Sequence, residues 1–495
     1  MSYQQLLAQA QHALQNGRPE QAAVVAEQAL QQRLQDADAH YNAGYYARQA
    51  GAYAKALKYY QQALALGVRE PEEVENNIAV IYSDALEQPE QALAALQRAL
   101  AYNPNYLPAL HNLANWYEQV GERTQASRYF QAVLKLDPQN YLAAARLADV
   151  HRATSVDDEL LTQLHRFTEQ SLPAQAQADV QFAIAKLLND CGAYQQSWRH
   201  LCLANQAQRH LLPRWNQAHW AANVAQLRHS LQTSVPNHTE SLESAPDGFQ
   251  PLFVCGMFRS GSTLVEQLLG GHERITTGGE LAYFPTQFNA YLMGKISSEQ
   301  LQPLVSQPTK QHELQSGYLA FLRERFESNG QLPAILTDKR PDNFWLLHFI
   351  KQVMPRAKFV VTQRHPLDNL VSIYFSQLGA AMAYATDVKQ IAEYLLLQQE
   401  QLKVWQAHYS DDVVTVQYEA LVRGPEAALT PVFELVGEQW QSQCLQFHTQ
   451  RNVVKTASVW QVRQPLHQSS CGRWQHFQAE LEQTLGTELF KRLHG

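Results

Sequence analysis

The sequence has few of the features that mark three common classes of protein. Its five cysteines include no CxxC pair, so reduced, packed thiols are a simpler interpretation than a disulfide framework or a zinc site. Its 39 Lys and Arg against 46 Asp and Glu, a formal net charge of -7, argue against sequence-independent binding of nucleic acid. No run approaches the roughly 18 apolar residues that span a membrane, and the first residues lack the pattern of a signal peptide. These absences predict a cytoplasmic protein with no nucleic-acid partner and no membrane span.

The first 150 residues contain a repeat, as expected for a chain of 495 residues that is too long for one core. Four alanines occupy the same point of the repeat and are separated by 34, 36 and 34 residues: Ala22, Ala56, Ala92 and Ala126. In three repeats a glycine five residues earlier would end one helix, and the small alanine would let the next helix cross it closely. The pattern is similar to tetratricopeptide (TPR) repeats, whose period is about 34 residues. We predict four helical pairs, with a longer turn where two residues are added, at 3–36, 37–70, 73–106 and 107–140.

A second helical region and a linker follow the repeats. Gly192 and Ser197 keep the offset of five residues, which indicates a further helical hairpin. The segment before the next domain has the polar, proline-containing composition of a linker. Repeats of this kind form a concave surface that suits a partner protein or peptide. The predicted boundaries are 1–150 for the repeats, 151–232 for further TPR-like hairpins and 233–250 for the linker.

Beyond the linker, apolar runs typical of buried strands alternate with helical patterns. Each run precedes a predicted helix; the runs are PLFVC (251–255), AILTD (334–338), KFVVTQ (358–363) and DVVTVQY (412–418). Strands that alternate with helices pair in parallel through crossover connections. We therefore predict an N-terminal α-solenoid followed, at 251–495, by a three-layer, P-loop-like α/β domain with a mainly parallel sheet.

The turn after the first of these strands, GMFRSGSTL, has the spacing of a phosphate-binding loop. Four residues separate Gly256 from Gly261, and Ser262 and Thr263 follow, so the loop differs from G-x4-G-K-[ST] in having serine for lysine. Backbone N–H groups and hydroxyls at the start of a helix bind phosphate oxygens. The expected ligand-binding residues are Arg259, Ser260, Gly261, Ser262 and Thr263.

A second candidate anion site follows the strand at 358–363. Arg364 lies directly after this strand, where open α/β sheets place contacts to ligands, and Ser372 lies two turns along the next helix. An arginine fork together with a hydroxyl suits a phosphate group. The alternative role of Arg364 is a surface ion pair with Asp368.

The two segments resemble the PAPS-dependent sulfotransferases, in particular the branch of the tyrosylprotein sulfotransferases and bacterial TPR-linked sulfotransferases. FVCGMFRSGSTLVEQLL is similar to the motif for the 5′-phosphosulfate of PAPS (3′-phosphoadenosine 5′-phosphosulfate), and KFVVTQRHPLDNLVSIYFSQL to the motif for its 3′-phosphate. The resemblance covers residues 250–480. It implies transfer of a sulfuryl group from PAPS to a hydroxyl group, with PAP as product and without metal. A loop that lacks the lysine of NTPases suits this chemistry.

The resemblance also implies the catalytic residues. Glu280, in ITTGGEL, corresponds to a glutamate that acts as base, while Lys339 and Arg259 would stabilise the charge on the leaving nucleotide. From the residues alone, Glu280 could instead cap a helix or form an ion pair, and Lys339 could be a solvated loop lysine. Asp338, at the end of AILTD, is compatible with a Walker-B carboxylate and hence with a kinase. His272 is expected to pack beneath the loop.

Further nucleotide contacts are implied nearer the end of the sequence. Tyr418, in VVTVQYEAL, corresponds to a tyrosine near the adenosine, and TASVWQVRQPLHQSSCGRW resembles a segment that closes over the nucleotide. The implied contacts of this closing segment are Ser458, Gln461, Val462, Arg463 and Arg473. The protein-tyrosine enzymes have a basic residue where this chain has Ser376, so Arg463 or Arg473 is expected to replace it.

The acceptor and two rival functions stay open at this stage. A protein tyrosine, a carbohydrate and a small metabolite are all possible acceptors, and the TPR surface would recruit an acceptor protein, peptide or glycan. The first rival is a P-loop phosphoryl transferase that uses ATP and magnesium. The second is a TPR scaffold whose α/β domain has lost its chemistry.

Overall fold

The computed structural model describes residues 1–86, 88–233, 249–449 and 462–494. The chain divides into two compact units, residues 1–151 and 152–495. Most of the predicted linker, 233–250, lies outside the described residues, because these do not include 234–248. The domain boundaries deduced from the sequence therefore stay predictions.

The first unit is an array of antiparallel helical pairs, which confirms the predicted TPR repeats. Glycines in the left-handed conformation end the first helix of three pairs, with φ of 70° at Gly17, 72° at Gly51 and 83° at Gly121. The four repeat alanines are completely buried, as a close crossing of the two helices requires. The helices of this unit are α1 Tyr3–Gln15, α2 Pro19–Leu30, α3 Ala37–Gln49, α4 Tyr53–Ala65, α5 Pro71–Val80, α6 Pro89–Tyr102, α7 Leu107–Gln119, α8 Arg123–Leu136 and α9 Tyr141–Val150.

The two residues added in the third repeat lie in a helix, so the predicted longer turn is wrong. Helix α5 continues as a π-helical stretch, Ile81–Ala85, in which Leu86 N–H donates to the carbonyl oxygen of Ile81. The corresponding helices α3 and α7 have 13 residues each and no such stretch. A π-helical turn closes its hydrogen bonds five residues apart, so it takes extra residues within a helix.

The second unit contains a parallel sheet in which the described strands have the order β2-β3-β1-β4-β5. Four strands correspond to the predicted runs, and β2, with only two residues, was not predicted. The strands are β1 Gln250–Gly256, β2 Ile275–Thr276, β3 Ile335–Lys339, β4 Lys358–Gln363 and β5 Val413–Gln417.

Both faces of this sheet are covered, which confirms the three-layer α/β fold. Alternate residues of β1 point to opposite faces. Phe253 and Cys255 belong to one apolar core, and Leu252 and Val254 belong to another. The carboxyl ends of β1, β3 and β4 therefore meet at one edge, between the two layers of helices.

The second unit also includes the helices that precede the sheet in sequence. Trp198, Leu201 and Val224 from these helices share an apolar core with Phe253 and Phe359 of the sheet. The helices of this unit are α10 Glu159–Thr168, α11 Ala174–Asp190, α12 Tyr194–Arg209, α13 Gln217–Thr233, α14 Ser262–Leu269, α15 Tyr283–Gln287, α16 Asn289–Leu292, α17 Ser298–Val305, α18 Pro308–Phe326, α19 Asn343–Val353, α20 Pro366–Tyr374, α21 Val388–His408, α22 Tyr418–Arg423, α23 Pro425–Leu435 and α24 Gln478–His494; 3₁₀ turns cover Ala380–Thr386, Ser442–Thr449 and Arg473–Phe477. In the described residues, no helix is both long and apolar enough to cross a bilayer.

Candidate active site

The loop between β1 and α14 is tightly curled and depends on two glycines. Gly256 has φ of 137°, and a Cβ atom there would lie 2.4 Å from the carbonyl oxygen of Thr362. Gly261 has φ of 103°, and its Cβ would lie 2.7 Å from the ring of Tyr418. Arg259 also adopts a positive φ, 65°. The backbone thus bends into a conformation that L-residues rarely adopt, which directs consecutive N–H groups into the loop.

The loop is held in this shape from within and from β4. The Ser260 hydroxyl donates to the carbonyl oxygen of Met257 (2.5 Å) and lies 2.6 Å from Thr362 Oγ1. Asn369 of α20 donates to the carbonyl oxygen of Phe258 (2.7 Å). The Ser260 side chain, expected to face a phosphate, therefore supports the loop instead, because its hydroxyl is taken up by these neighbours. Its role in ligand binding stays a prediction.

Three arginines that are distant in sequence meet beside the loop. Arg364 donates to the carbonyl oxygen of Arg259 (3.3 Å), and its guanidinium lies 4.8 Å from the centre of the Tyr418 ring. Arg259 donates through Nε to Ser372 Oγ (3.3 Å). Burial, followed by the charge of Arg364, lowers the pKa of both Arg259 and Arg473 to about 10. Arg259 and Arg473 therefore stay protonated at neutral pH, and the cluster is a strong site for an anion.

The alternative role of Arg364, an ion pair with Asp368, is wrong. Asp368 accepts the backbone N–H groups of Gly472 (2.6 Å) and Trp474 (2.9 Å), which fixes the closing segment to α20. In the described part of the chain, neither Arg364 nor Arg473 forms an ion pair. The Nε of Arg364 is buried and has no hydrogen-bond partner among the described residues. The guanidinium therefore keeps a donor available for a ligand.

Arg259 and Arg364 border a cleft that is open to solvent. Val422, Phe447 and Leu466 form an apolar part of its wall. Six of the predicted nucleotide contacts also line the cleft: Arg259, Gly261, Thr263, Arg364, Tyr418 and Val462. The lining of the cleft thus combines cationic groups and helix N–H groups with apolar side chains that suit a ring.

Glu280 and Lys339 meet at the carboxyl end of β3, on the strand next to β1. Lys339 Nζ lies 2.7 Å from Glu280 Oε1, and the Lys339 N–H donates to the carbonyl oxygen of Gly279 (2.8 Å). The Lys339 side chain is 2% exposed, so the alternative of a solvated loop lysine is wrong, whereas Glu280 is 41% exposed. A carboxylate open to solvent and a buried ammonium group therefore form a pair beside the phosphate-type loop.

A comparison with protein families agrees with this geometry. The model described as "Sulfotransferase family" matches residues 251–442, and two models described as "Tetratricopeptide repeat" match residues 7–69 and 85–148. The chain therefore contains a domain of the sulfotransferase family, preceded by tetratricopeptide repeats. The sheet, the loop and the Arg364 segment all lie within the matched sulfotransferase domain.

Several relatives of the chain are detectable at low identity. An uncharacterised protein of Aquifex aeolicus is 25% identical over 414 residues, 81% of this chain and 53% of that protein. Protein-tyrosine sulfotransferase A of Caenorhabditis elegans is 22% identical over 231 residues, 46% of this chain and 60% of that enzyme. The chain thus spans little more than half the length of these relatives. The sulfotransferase domain of the olefin synthase from Synechococcus PCC 7002 superposes with a TM-score of 0.32 and 19% identity, covering 50% of this chain and 98% of that domain.

Beneath the Glu280–Lys339 pair of the sulfotransferase domain lies a carboxylate that the sequence motifs did not indicate. Glu266 of α14 accepts hydrogen bonds from Thr337 Oγ1 (2.7 Å) and from the N–H of Gly279 (2.9 Å). Burial raises the pKa of Glu266, and the charge of Lys339 opposes this shift. The one signal in the sequence is an acid at a buried position of an apolar helix. Glu266 links the phosphate-type loop to the turn that carries Glu280.

Asp338 does not face the phosphate-type loop. Successive strand residues point to opposite faces of a sheet, so Asp338 points away from the side chain of Lys339. It accepts hydrogen bonds from the Tyr318 hydroxyl (3.0 Å) and from Asn343 Nδ2 (3.0 Å) in the core. This position is incompatible with a Walker-B carboxylate, which would have to reach a metal at the loop.

The burial of Asp338 has a consequence for stability. Burial raises its pKa to about 8, so the folded protein keeps a proton that the unfolded chain releases near pH 4. Its stabilising effect is complete below about pH 4 and is lost as the pH rises towards 8. Denaturant unfolding between pH 5 and 8 should show a decline in the free energy of unfolding of up to about 1.4 kcal/mol per pH unit, relative to Asp338→Asn. Equal slopes for the two proteins would contradict the assignment.

The remaining predicted residues are only partly placed. Ser458 and Gln461 lie outside the described residues. Val462 is buried and borders the cleft, and burial lowers the pKa of Arg463. His272 packs as expected, buried with its ring centre 5.3 Å from that of Phe433.

Proposed function

We propose that this protein transfers the sulfuryl group of PAPS to a hydroxyl group of an acceptor. The observation that carries the proposal is the convergence of Arg259, Arg364 and Arg473 beside the start of α14, next to the Glu280–Lys339 pair. Membership of the sulfotransferase family supports the reaction class. The protein-tyrosine sulfotransferases among the relatives support a hydroxyl acceptor.

The residues present fit the two anionic ends of PAPS. The glycine-dependent loop leaves N–H groups at the start of α14, and a side chain on Gly261 would collide with the ring of Tyr418, which lines the cleft. Arg364 keeps a buried Nε without a partner in the described residues. We assign the 5′ end to Arg259 and to the N–H groups and hydroxyls at 261–263, and the 3′-phosphate to Arg364 and Ser372. Tyr418 and the apolar wall of the cleft would accommodate the adenosine.

The chain's own residues then have separate tasks in the transfer. PAPS supplies the sulfuryl group and leaves as PAP. Glu280 takes the proton of the acceptor hydroxyl while the acceptor oxygen bonds to sulfur and the bond from sulfur to the 5′-phosphate oxygen breaks. Lys339 and Arg259 stabilise the negative charge that this phosphate oxygen receives. Because Lys339 already pairs with Glu280, it also holds the carboxylate in place before the acceptor arrives.

The acceptor is recruited by the TPR array in this proposal. The repeats belong to a class that forms concave surfaces for peptides and proteins. A protein tyrosine, a carbohydrate and a small metabolite stay open as acceptors, and the cytoplasmic location stays a prediction.

Thermal-shift titration tests the donor. PAP without metal should raise the melting temperature, because a ligand at 100 times its Kd stabilises the native state by about 2.7 kcal/mol. ATP with magnesium should have little effect, since no lysine in the loop faces a triphosphate. Stabilisation by ATP–magnesium alone would indicate a phosphoryl transferase instead. A protein that responds to neither nucleotide would be a scaffold without this activity.

A further inference from the structure

The helical hairpin α11–α12 holds the chain segment that follows Ser372. Asn205 donates to the carbonyl oxygen of Tyr374 (3.0 Å), and Gln208 donates to that of Leu378 (2.6 Å). Arg209 donates to the carbonyl oxygen of Thr386 (2.8 Å). Three side chains of α12, at 205, 208 and 209, therefore bind main-chain oxygens between the end of α20 and the start of α21.

The same hairpin holds the closing segment. The ring of Tyr194 stacks on His476 with centroids 4.0 Å apart, and Trp198 lies 5.5 Å from Phe477. At the other end of the hairpin turn, Asn189 Oδ1 accepts a hydrogen bond from Arg473 Nη2 (3.2 Å). The hairpin thus contacts both segments that carry predicted contacts to the 3′-phosphate.

Arg473 is placed where this chain lacks a basic side chain. Its guanidinium lies 4.0 Å from the ring centre of Phe375, the neighbour of Ser376. Ser376 cannot supply a charge, and its hydroxyl donates to the carbonyl oxygen of Ser372 (2.8 Å). Arg473 does not border the cleft itself and approaches the anion cluster from the side of α20. A long side chain in this position needs a partner that fixes its direction, because arginine otherwise retains much rotamer freedom.

A neutral amide suits this task better than a carboxylate. Asn189 accepts one hydrogen bond and directs the guanidinium without cancelling its charge, so the positive potential at the cluster is retained. The planar face of the same guanidinium rests on Phe375, which limits rotation further.

We propose that hairpin α11–α12 supports the donor-nucleotide site from outside the cleft, and that Asn189 is a positioning residue that directs Arg473 to the 3′-phosphate in place of a basic residue at position 376. The inference rests on the proposed function. It assigns to this hairpin a role in the nucleotide site rather than in partner binding.

Calorimetric titration of the full chain with PAP tests the proposal through affinity, independently of turnover. Asn189→Ala should weaken PAP binding about tenfold, and Arg473→Ala should weaken it at least as much. The double variant should bind no more weakly than Arg473→Ala, because Asn189 acts only through that arginine. AMP lacks the 3′-phosphate. Its affinity, measured by competition with PAP, should therefore differ by no more than about twofold between the wild type and either single variant.

Controls separate this inference from the proposed function. Gln195→Ala, on the exposed face of α12, should bind PAP like the wild type. Melting temperatures without ligand report any loss of folding. Failure of the wild type to bind PAP would overturn the proposed function itself. PAP binding that Asn189→Ala leaves intact, additive effects in the double variant, or equal losses for AMP and PAP would overturn the role of the hairpin while the donor assignment stands.

Discussion

Glu280→Gln should lower turnover about 10²- to 10⁴-fold while PAP affinity stays within about twofold of the wild type. The amide has the size of the carboxylate and can still accept a hydrogen bond from Lys339, so the pair keeps its geometry. The amide cannot take a proton from the acceptor hydroxyl, so the substitution removes proton transfer and leaves nucleotide binding unchanged. Sulfuryl transfer from PAPS to a panel of phenolic and aliphatic hydroxyl acceptors would measure the effect.

The acidity of the acceptor provides an internal control for Glu280. The loss should be smaller for p-nitrophenol than for an unactivated phenol, because an acidic hydroxyl depends less on a base. Glu299 is an exposed acid in the first turn of α17. Glu299→Gln serves as the matched control and should leave turnover unchanged. Full activity of Glu280→Gln with unactivated acceptors would show that another group takes the proton.

Lys339→Met should lower turnover about 10²- to 10³-fold. The substitution removes a cation that stabilises the negative charge developing on the leaving phosphate oxygen. Methionine fills a similar volume, so the buried position at the end of β3 tolerates the change better than alanine would. The same transfer assay, with PAP affinity measured alongside, separates a loss in the chemical step from a loss of binding.

The two catalytic variants should differ in their response to the acceptor. Lys339 acts mainly on the leaving group, so the effect of its removal should depend much less on the acidity of the acceptor than the effect of Glu280→Gln does. Lys389→Met, on the exposed start of α21, is the matched control. A loss that follows acceptor acidity, as expected for Glu280, would mean that Lys339 acts only by holding the carboxylate.

Most of the fold was predictable because its signals are local or periodic. The spacing of the repeat alanines sets the helical pairs, and strand β4 has the predicted bounds 358–363 because an apolar run is followed directly by Arg364 and Pro366. Strand β2 was not predictable, since two residues give no alternation to detect. The π-helical stretch after α5 was misread as a turn, because a count of residues does not show whether a helix or a loop absorbs an insertion.

The residues of the candidate site were predictable where they lie next to the end of a strand. Contacts between residues that are far apart in the sequence were not predictable. Arg259, Lys339 and Arg364 all follow or end strands, so sequence order places them at one edge of the sheet. The Asn189–Arg473 contact joins residues 284 positions apart, and no motif connects them. Glu266 was missed for a different reason: a carboxylate in a helix normally indicates a position that is exposed to solvent.

The packing of α11–α13 against the sheet also bears on how such a protein can be assembled from modules. A fragment that begins at the first strand would expose the apolar surface that Trp198, Leu201 and Val224 cover. An exchangeable repeat array would therefore have to be joined near residue 151 rather than at the polar segment before β1. Recombination or engineered fusion at that earlier point would exchange the repeats and keep the proposed nucleotide site, with the helices that support it, in one piece.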